Sequence, residues 1–220
     1  TARTGSPQVR VYNEERDRPV WLLVNQRQCM FFGSQHRTKS VTAAEMVALA
    51  AWRVTGLGDR VGAIVYNDQQ TQVLRPRNSK QQVMRILKAV VDMNLAMHQN
   101  RTTDAVPSQF DVALQALQAE VRHDALICLI GDGSGVSDRS VEAVTRLNAH
   151  NDILMALIYD PMEATLPDAG VLAMKSGHQQ VSFDSTDRRL CSAYSDDFKQ
   201  RLAALKQLSL RHEIPLLQIN

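Results

Sequence analysis

No apolar stretch in these 220 residues approaches the roughly 20 needed to span a bilayer, so the chain itself offers no transmembrane helix and no membrane insertion. It also lacks a dominant charge: 25 Lys and Arg against 23 Asp and Glu leave a net charge of +2. That balance makes neither nucleic acid nor an anionic membrane surface the default partner. Cysteine is scarce, with Cys29, Cys128 and Cys191 widely spread and without CxxC spacing. A disulfide framework is therefore not expected, whereas a reducing, cytoplasmic setting is. The chain opens at Thr1 rather than at a methionine. It reads as part of a longer protein, and an upstream anchor stays open.

The common catalytic signatures are missing too. There is no G-x-x-x-x-G-K-[ST], and the six histidines (His36, His98, His123, His150, His178, His212) form no i, i+4 pair and no H-E-x-x-H. Cys29 and His36 have no evident third ligand for zinc. Ser134 fails as a nucleophile elbow, because Asp132 stands where G-x-S-x-G requires glycine. The third glycine of Gly131–Gly135 comes one position early for the dinucleotide fingerprint, so this segment reads as a tight turn between strand and helix. Glu14 and Glu15 are adjacent on an extended segment and point to opposite faces, so they cannot flank one substrate. No hydrolase or transferase constellation remains, and no cofactor is expected.

What the sequence does have is alternation of strand and helix. Val20–Val24 is an unbroken apolar run, the pattern of a strand buried on both faces of a parallel sheet. The polar segment after it then lies at the carboxyl end of a central strand, where open α/β sheets place their ligands. Gln8–Arg16 reads as a half-exposed strand, Thr38–Thr55 as a helix with a capping box at Thr42 and Glu45, and Val61–Tyr66 as a second buried strand. Thr71–Leu74 closes a hairpin through the Asn67-Asp68 turn. Ser79–Val91 is helical, Asp92–Gln109 a long polar loop, and Phe110–Val121 helical again. A strand at Ala125–Ile130, a helix at Ser140–Ala149 and a strand at Ile153–Tyr159 follow. Asp160–Ala169, with Pro161 and Pro167, should be irregular. Val171–Met174 and Gln180–Phe183 form a hairpin, Asp187–Arg211 a long helix and Pro215–Ile219 the last strand. The expected fold is one α/β domain over 1–220: a mostly parallel central sheet flanked by helices, with an antiparallel edge strand and an added β-hairpin.

Several segments together resemble a known family. They are Ala2-Arg3-Thr4-Gly5 with Val9–Arg16, Val20–Val24 with Met30-Phe31-Phe32-Gly33, Gly58–Gly62, Asp160-Pro161-Met162-Glu163 with Leu166–Gly170, and Ile214-Pro215-Leu216. The pattern resembles the bacterial domain-of-unknown-function family fifty-eight, whose core is a von Willebrand factor A-like (Rossmann-like) domain. The resemblance implies that the family's amino-terminal part lies upstream of Thr1.

The resemblance implies a metal-ion-dependent adhesion site, D-x-S-x-S after the first core strand with a Thr and an Asp from two further loops. Carried over by position, these fall on Asn25, Arg27, Cys29, Thr103 (with Thr102 and Ser108 as alternatives) and Asp132. The site is degenerate: magnesium needs near-octahedral oxygen ligands, and a thiol is a poor substitute. A guanidinium 4 Å from a dication would cost roughly 8 kcal/mol at an effective dielectric of 20. No divalent cation is expected, and an Arg27–Asp132 pair is expected in its place. The resemblance also implies recognition of a protein partner, with a MoxR-type AAA+ ATPase the expected one. The surface would be Asn25, Gln26, Arg27, Gln28, Cys29, Arg101, Thr102, Thr103, Asp104, Asp132 and Ser134. The competing expectations are a phosphoester- or nucleotide-handling enzyme around Asp132, and a structural subunit with an idle site.

Overall fold

The computed structural model describes residues 18–99, 109–176 and 179–220. Outside them fall the expected strand Gln8–Arg16, the site candidates Arg101, Thr102, Thr103 and Asp104, the alternative Ser108, and Gly177 of the hairpin turn.

Strand β1 (Val20–Asn25) pairs in parallel with β2 (Val61–Tyr66) on one side and β4 (Leu126–Gly131) on the other. All its residues are buried, which is why the run carries no polar break. Side-chain alternation along β1 divides the core in two. Val20, Leu22 and Val24 pack with Ala43 and Val47 of α1 (Lys39–Gly56) and Val83 and Ile86 of α2 (Lys80–Gln99). Trp21 and Leu23 face the other way, into Leu114 and Leu117 of α3 (Gln109–Glu120) and Val144 and Leu147 of α4 (Asp138–Asn148).

The sheet order is β3-β2-β1-β4-β5-β8, completed by β3 (Thr71–Arg77), β5 (Asp152–Ile158) and β8 (Leu216–Ile219). Its pairings are parallel except β2–β3, so β3 is the antiparallel edge strand. Pro76 lies on that edge, where a missing N–H breaks no ladder bond in the sheet interior. Strands β6 (Val171–Ser176) and β7 (Gln179–Asp184) form the separate hairpin. Helices α5 (Pro161–Ala164) and α6 (Arg188–Arg211) complete the chain. Among the described residues no helix is long and apolar enough to cross a membrane.

Some local expectations fail for identifiable reasons. Helix α2 does not stop at Val91 but runs to Gln99, because Met93 and Met97 carry its buried stripe onward at helical spacing. The first part of the expected Asp92–Gln109 loop is therefore helix. Thr42 and Glu45 form no capping box: α1 begins three residues earlier, with Thr38 at its N-cap and Glu45 paired to Arg37. The expected irregular segment after β5 contains the single helical turn α5, with Pro161 at its first position, where proline's fixed φ suits a helix start.

Candidate functional site

The carboxyl ends of β1 and β4 lie side by side, and the side chains there engage one another. Asn25 Oδ1 accepts from the Arg27 N–H at 2.9 Å, turning the chain sharply out of the strand. Asn25 Nδ2 donates to Asp132 Oδ1 at 3.3 Å and lies 3.9 Å from Cys29 Sγ. Gln26 is fully buried; its Nε2 donates to the Ser40 carbonyl, and its Oε1 accepts from Asn94 on α2. The loop then doubles back tightly: a Cβ on Gly33 would lie 2.2 Å from the Arg37 carbonyl oxygen. That reversal delivers Lys39, the first residue of α1, beneath the strand ends.

Asp132 is the centre of the cluster. Its Oδ2 accepts from Lys39 Nζ at 3.2 Å and from Ser134 Oγ at 2.8 Å, and its Oδ1 from the Ser134 N–H at 3.1 Å. Lys39 Nζ also reaches Glu163 Oε1 at 2.8 Å. Glu163 is held in turn by the α5 capping box, in which its other oxygen accepts from the Asp160 N–H. Asp160 ties the loop after β1 to α5 by accepting from the Ser34 amide at 2.7 Å. From α6, Arg201 donates to Ser134 Oγ at 3.1 Å and lies 3.9 Å from Glu163 Oε1. Asp132, Lys39, Glu163, Arg201 and Ser134 therefore close a ring of polar contacts that joins β4, α1, α5 and α6.

Arg27 takes no part in that ring as an ion pair. The expected Arg27–Asp132 pair is wrong. Arg27 Nε donates to Asp68 Oδ1 at 2.9 Å, and both side chains are buried. Asp68 also accepts from the Gln28 N–H at 2.6 Å. The cation opposite Asp132 is Lys39, a residue the sequence reading passed over. Its signal was present: a lysine in the first turn of a helix opposes the macrodipole and calls for an acidic neighbour. In sequence Asp68 signals only a turn, and Glu163 and Arg201 carry no local sign of their roles.

The electrostatics follow from burial and pairing. Burial alone would raise the Asp132 carboxyl, but Lys39 and the two Ser134 donors outweigh it and hold its pKa below the ordinary value. For Lys39, burial opposes the charge, but Asp132 and Glu163 raise its pKa overall. Burial, with Asp132 close by, pushes the Cys29 thiol well up, so it stays protonated. A depressed carboxylate stabilises the fold above its unfolded value, about 3.9, and loses that contribution as pH falls through the lower folded value. The melting-temperature gap between the wild type and Asp132→Asn should therefore be full at pH 6 and shrink below about pH 4. A gap unchanged down to pH 2.5 would mean that Asp132 does not titrate as a paired carboxylate.

These donors do not suit the divalent cation that the resemblance implies. Asn25 Oδ1 is engaged by a backbone N–H, and Arg27 brings positive charge. Cys29 offers a protonated thiol, and both Asp132 oxygens are taken. Among the described residues no group of three or more His, Cys, Asp or Glu could hold a metal.

Of the sequence-predicted residues, Asn25, Cys29, Asp132 and Ser134 do come together, and Arg27 reaches the Ser134 carbonyl at 3.4 Å. Asn25, Gln26, Arg27 and Asp132 lie beneath the surface, whereas Gln28, Cys29 and Ser134 are half-buried and Val136 is exposed.

Comparison with known proteins agrees with this architecture. A family model described as "Protein of unknown function DUF58" matches residues 1–204. The uncharacterized protein Rv1480 of Mycobacterium tuberculosis and the uncharacterized protein Mb1516 of Mycobacterium bovis are each 26% identical over 206 residues, 93% of this chain. The chain spans 61% of the length of those relatives. Among solved structures, the conserved hypothetical protein BatB from Bacteroides thetaiotaomicron superposes with a TM-score of 0.55 at 12% identity, covering 92% of this chain and 90% of that one. That likeness is one of fold. The SpRpn10 VWA domain gives a TM-score of 0.40 at 13% identity, over 64% of this chain and 75% of that one.

Proposed function

The chain belongs to the DUF58 family, and from that membership we propose that it is a non-enzymatic, metal-independent protein-interaction module and an adaptor for a MoxR-type AAA+ ATPase. The observation that carries the reading is Lys39 on Asp132. A tethered ammonium occupies the carboxylate that a cation would need, with side-chain exposures of 3% and 1%. The strand-end face is thus shaped and charge-balanced without an added ion. Among the described residues, recognition falls to what reaches solvent there: Gln28, Ser134 and Val136. The buried Asn25, Gln26, Arg27 and Asp132 hold that face in shape.

The enzyme alternative needs a group that converges on Asp132 and can be reached by substrate. Lys39 converges but is buried and spent on Asp132 and Glu163, while the half-buried Glu163 and Arg201 are spent on Lys39, Ser134 and each other. The test is capture of a purified MoxR-type ATPase by this chain, with and without EDTA. Capture should be equal in both, and Val136→Asp should weaken it by about tenfold, the effect of burying one unpartnered charge at an interface. Loss of capture on chelation overturns metal independence, and no capture under either condition overturns the partner.

A further inference from the structure

Helix α1 buries Ser40, Ala43, Val47 and Ala51 against the sheet and turns a different pattern outward. On that outer side Val41 is 43% exposed, Leu49 74% and Trp52 43%, and Leu57 just past the helix end is 60% exposed. Single exposed apolar residues are ordinary, but an outward Leu and Trp on successive turns of one helix form a stripe that water does not favour. Charge interrupts the stripe symmetrically. Glu45 lies about one turn before Leu49 and Arg53 about one turn after it, both exposed. Val41 and Leu57 lie about two turns either side.

That order is self-complementary, and it selects the occupant. We propose that α1 is a homodimer interface, with a second copy of this chain laid antiparallel across it on a twofold axis through Leu49. A twofold contact pairs residue i with j and j with i. Leu49 then meets Leu49 of the second copy, and Glu45 and Arg53, each about 40° around the helix from Leu49, meet its Arg53 and Glu45. A parallel arrangement would set Glu45 against Glu45 and Arg53 against Arg53, which like-charge repulsion disfavours. An unrelated partner needs no such palindrome. The in-chain Arg37–Glu45 contact is exposed on both sides and leaves Glu45 available to a second cation.

An 18-residue helix spans only about 27 Å. One helix face falls short of the roughly 800 Å² per partner of a standard stable interface. The dimer is therefore weak and reversible. This surface lies along a helix flank, separate from the strand-end face assigned to the ATPase.

Sedimentation equilibrium of the whole chain from about 10 μM to 1 mM, a range spanning weak association, should show a monomer–dimer equilibrium. Glu45→Arg alone and Arg53→Glu alone should each weaken it by about tenfold, and the two together should restore it to within about threefold. Leu49→Glu should abolish it with an unchanged melting temperature. A wild type that stays monomeric throughout overturns the proposal. So does a double swap no better than the single ones, because loss of the Arg37–Glu45 contact is common to Glu45→Arg and the double variant and only a second copy repairs it.

Discussion

Replacing Lys39 by Met is expected to destabilise the protein by about 3–5 kcal/mol, the range for removing one partner of a buried ion pair. Met keeps most of the aliphatic packing, so the loss isolates the charge. Asp132 would remain beside β1 with two hydrogen-bonding neighbours, Ser134 and Asn25, and no cation against it, and Glu163 would lose its shortest contact. In a domain of this size each kcal/mol moves the melting temperature by about 2–4 °C, so a drop of roughly 6–20 °C should be visible in a thermal scan. Adding Asp132→Asn removes the stranded charge, and the double variant should be more stable than the sum of the two single losses predicts, a coupling of about 1–3 kcal/mol. Magnesium at millimolar concentration should not rescue Lys39→Met, because the other positions at the site still offer an engaged amide, a guanidinium and a thiol. A loss below about 1 kcal/mol would mean that solvent reaches Asp132 and that the ammonium is not the site's counter-ion.

The frame that brings these groups together could be read from residue types alone. Val20–Val24 declared a strand covered on both faces because only such a strand needs no polar side, and its parallel neighbours β2 and β4 are what cover its edges. Asn67-Asp68 announced a turn and the antiparallel β3 followed it. Less legible were features whose meaning depends on contacts far along the chain. Asp92 and Asn94 made the segment after Val91 look like loop, yet Asp92 lies on the outer side of α2 against Lys88, and Asn94 is a partner of Gln26 from 68 positions away. Thr42 and Glu45 have the spacing of a capping box, but that pattern says nothing about where α1 begins, and Thr38 already stands there. At the site, position carried over from a resembling family named Asn25, Arg27, Cys29 and Asp132, and the structure gathers them. It could not name the groups that satisfy them, since Lys39, Asp68 and Glu163 come from three separate connections. Chain order carries no signal for such pairings beyond the oddity of a lysine at a helix start.

Asp68→Ala is the second large effect to expect, again about 3–5 kcal/mol, because it leaves the Arg27 guanidinium, 3% exposed, without its carboxylate. The same change strips the Gln28 N–H of its acceptor, a group for which burial without a partner costs about 1–3 kcal/mol, though the two losses share one cause and do not add. The exposed Lys88–Asp92 pair supplies the contrast: Asp92→Ala should shift stability by no more than about 0.5 kcal/mol, since both partners stand in water one helical turn apart. Denaturant unfolding of the two alanine variants beside the wild type separates burial from mere pairing. A large loss for Asp68 and a small one for Asp92 means that Arg27 is anchored to the β2–β3 turn and held away from Asp132, leaving that carboxylate to Lys39. Equal small losses would mean that Arg27 swings into solvent at little cost. The guanidinium would then belong to the exposed strand-end face and could meet a partner directly, and the division between a buried supporting layer and an outer recognition layer would have to be redrawn around it.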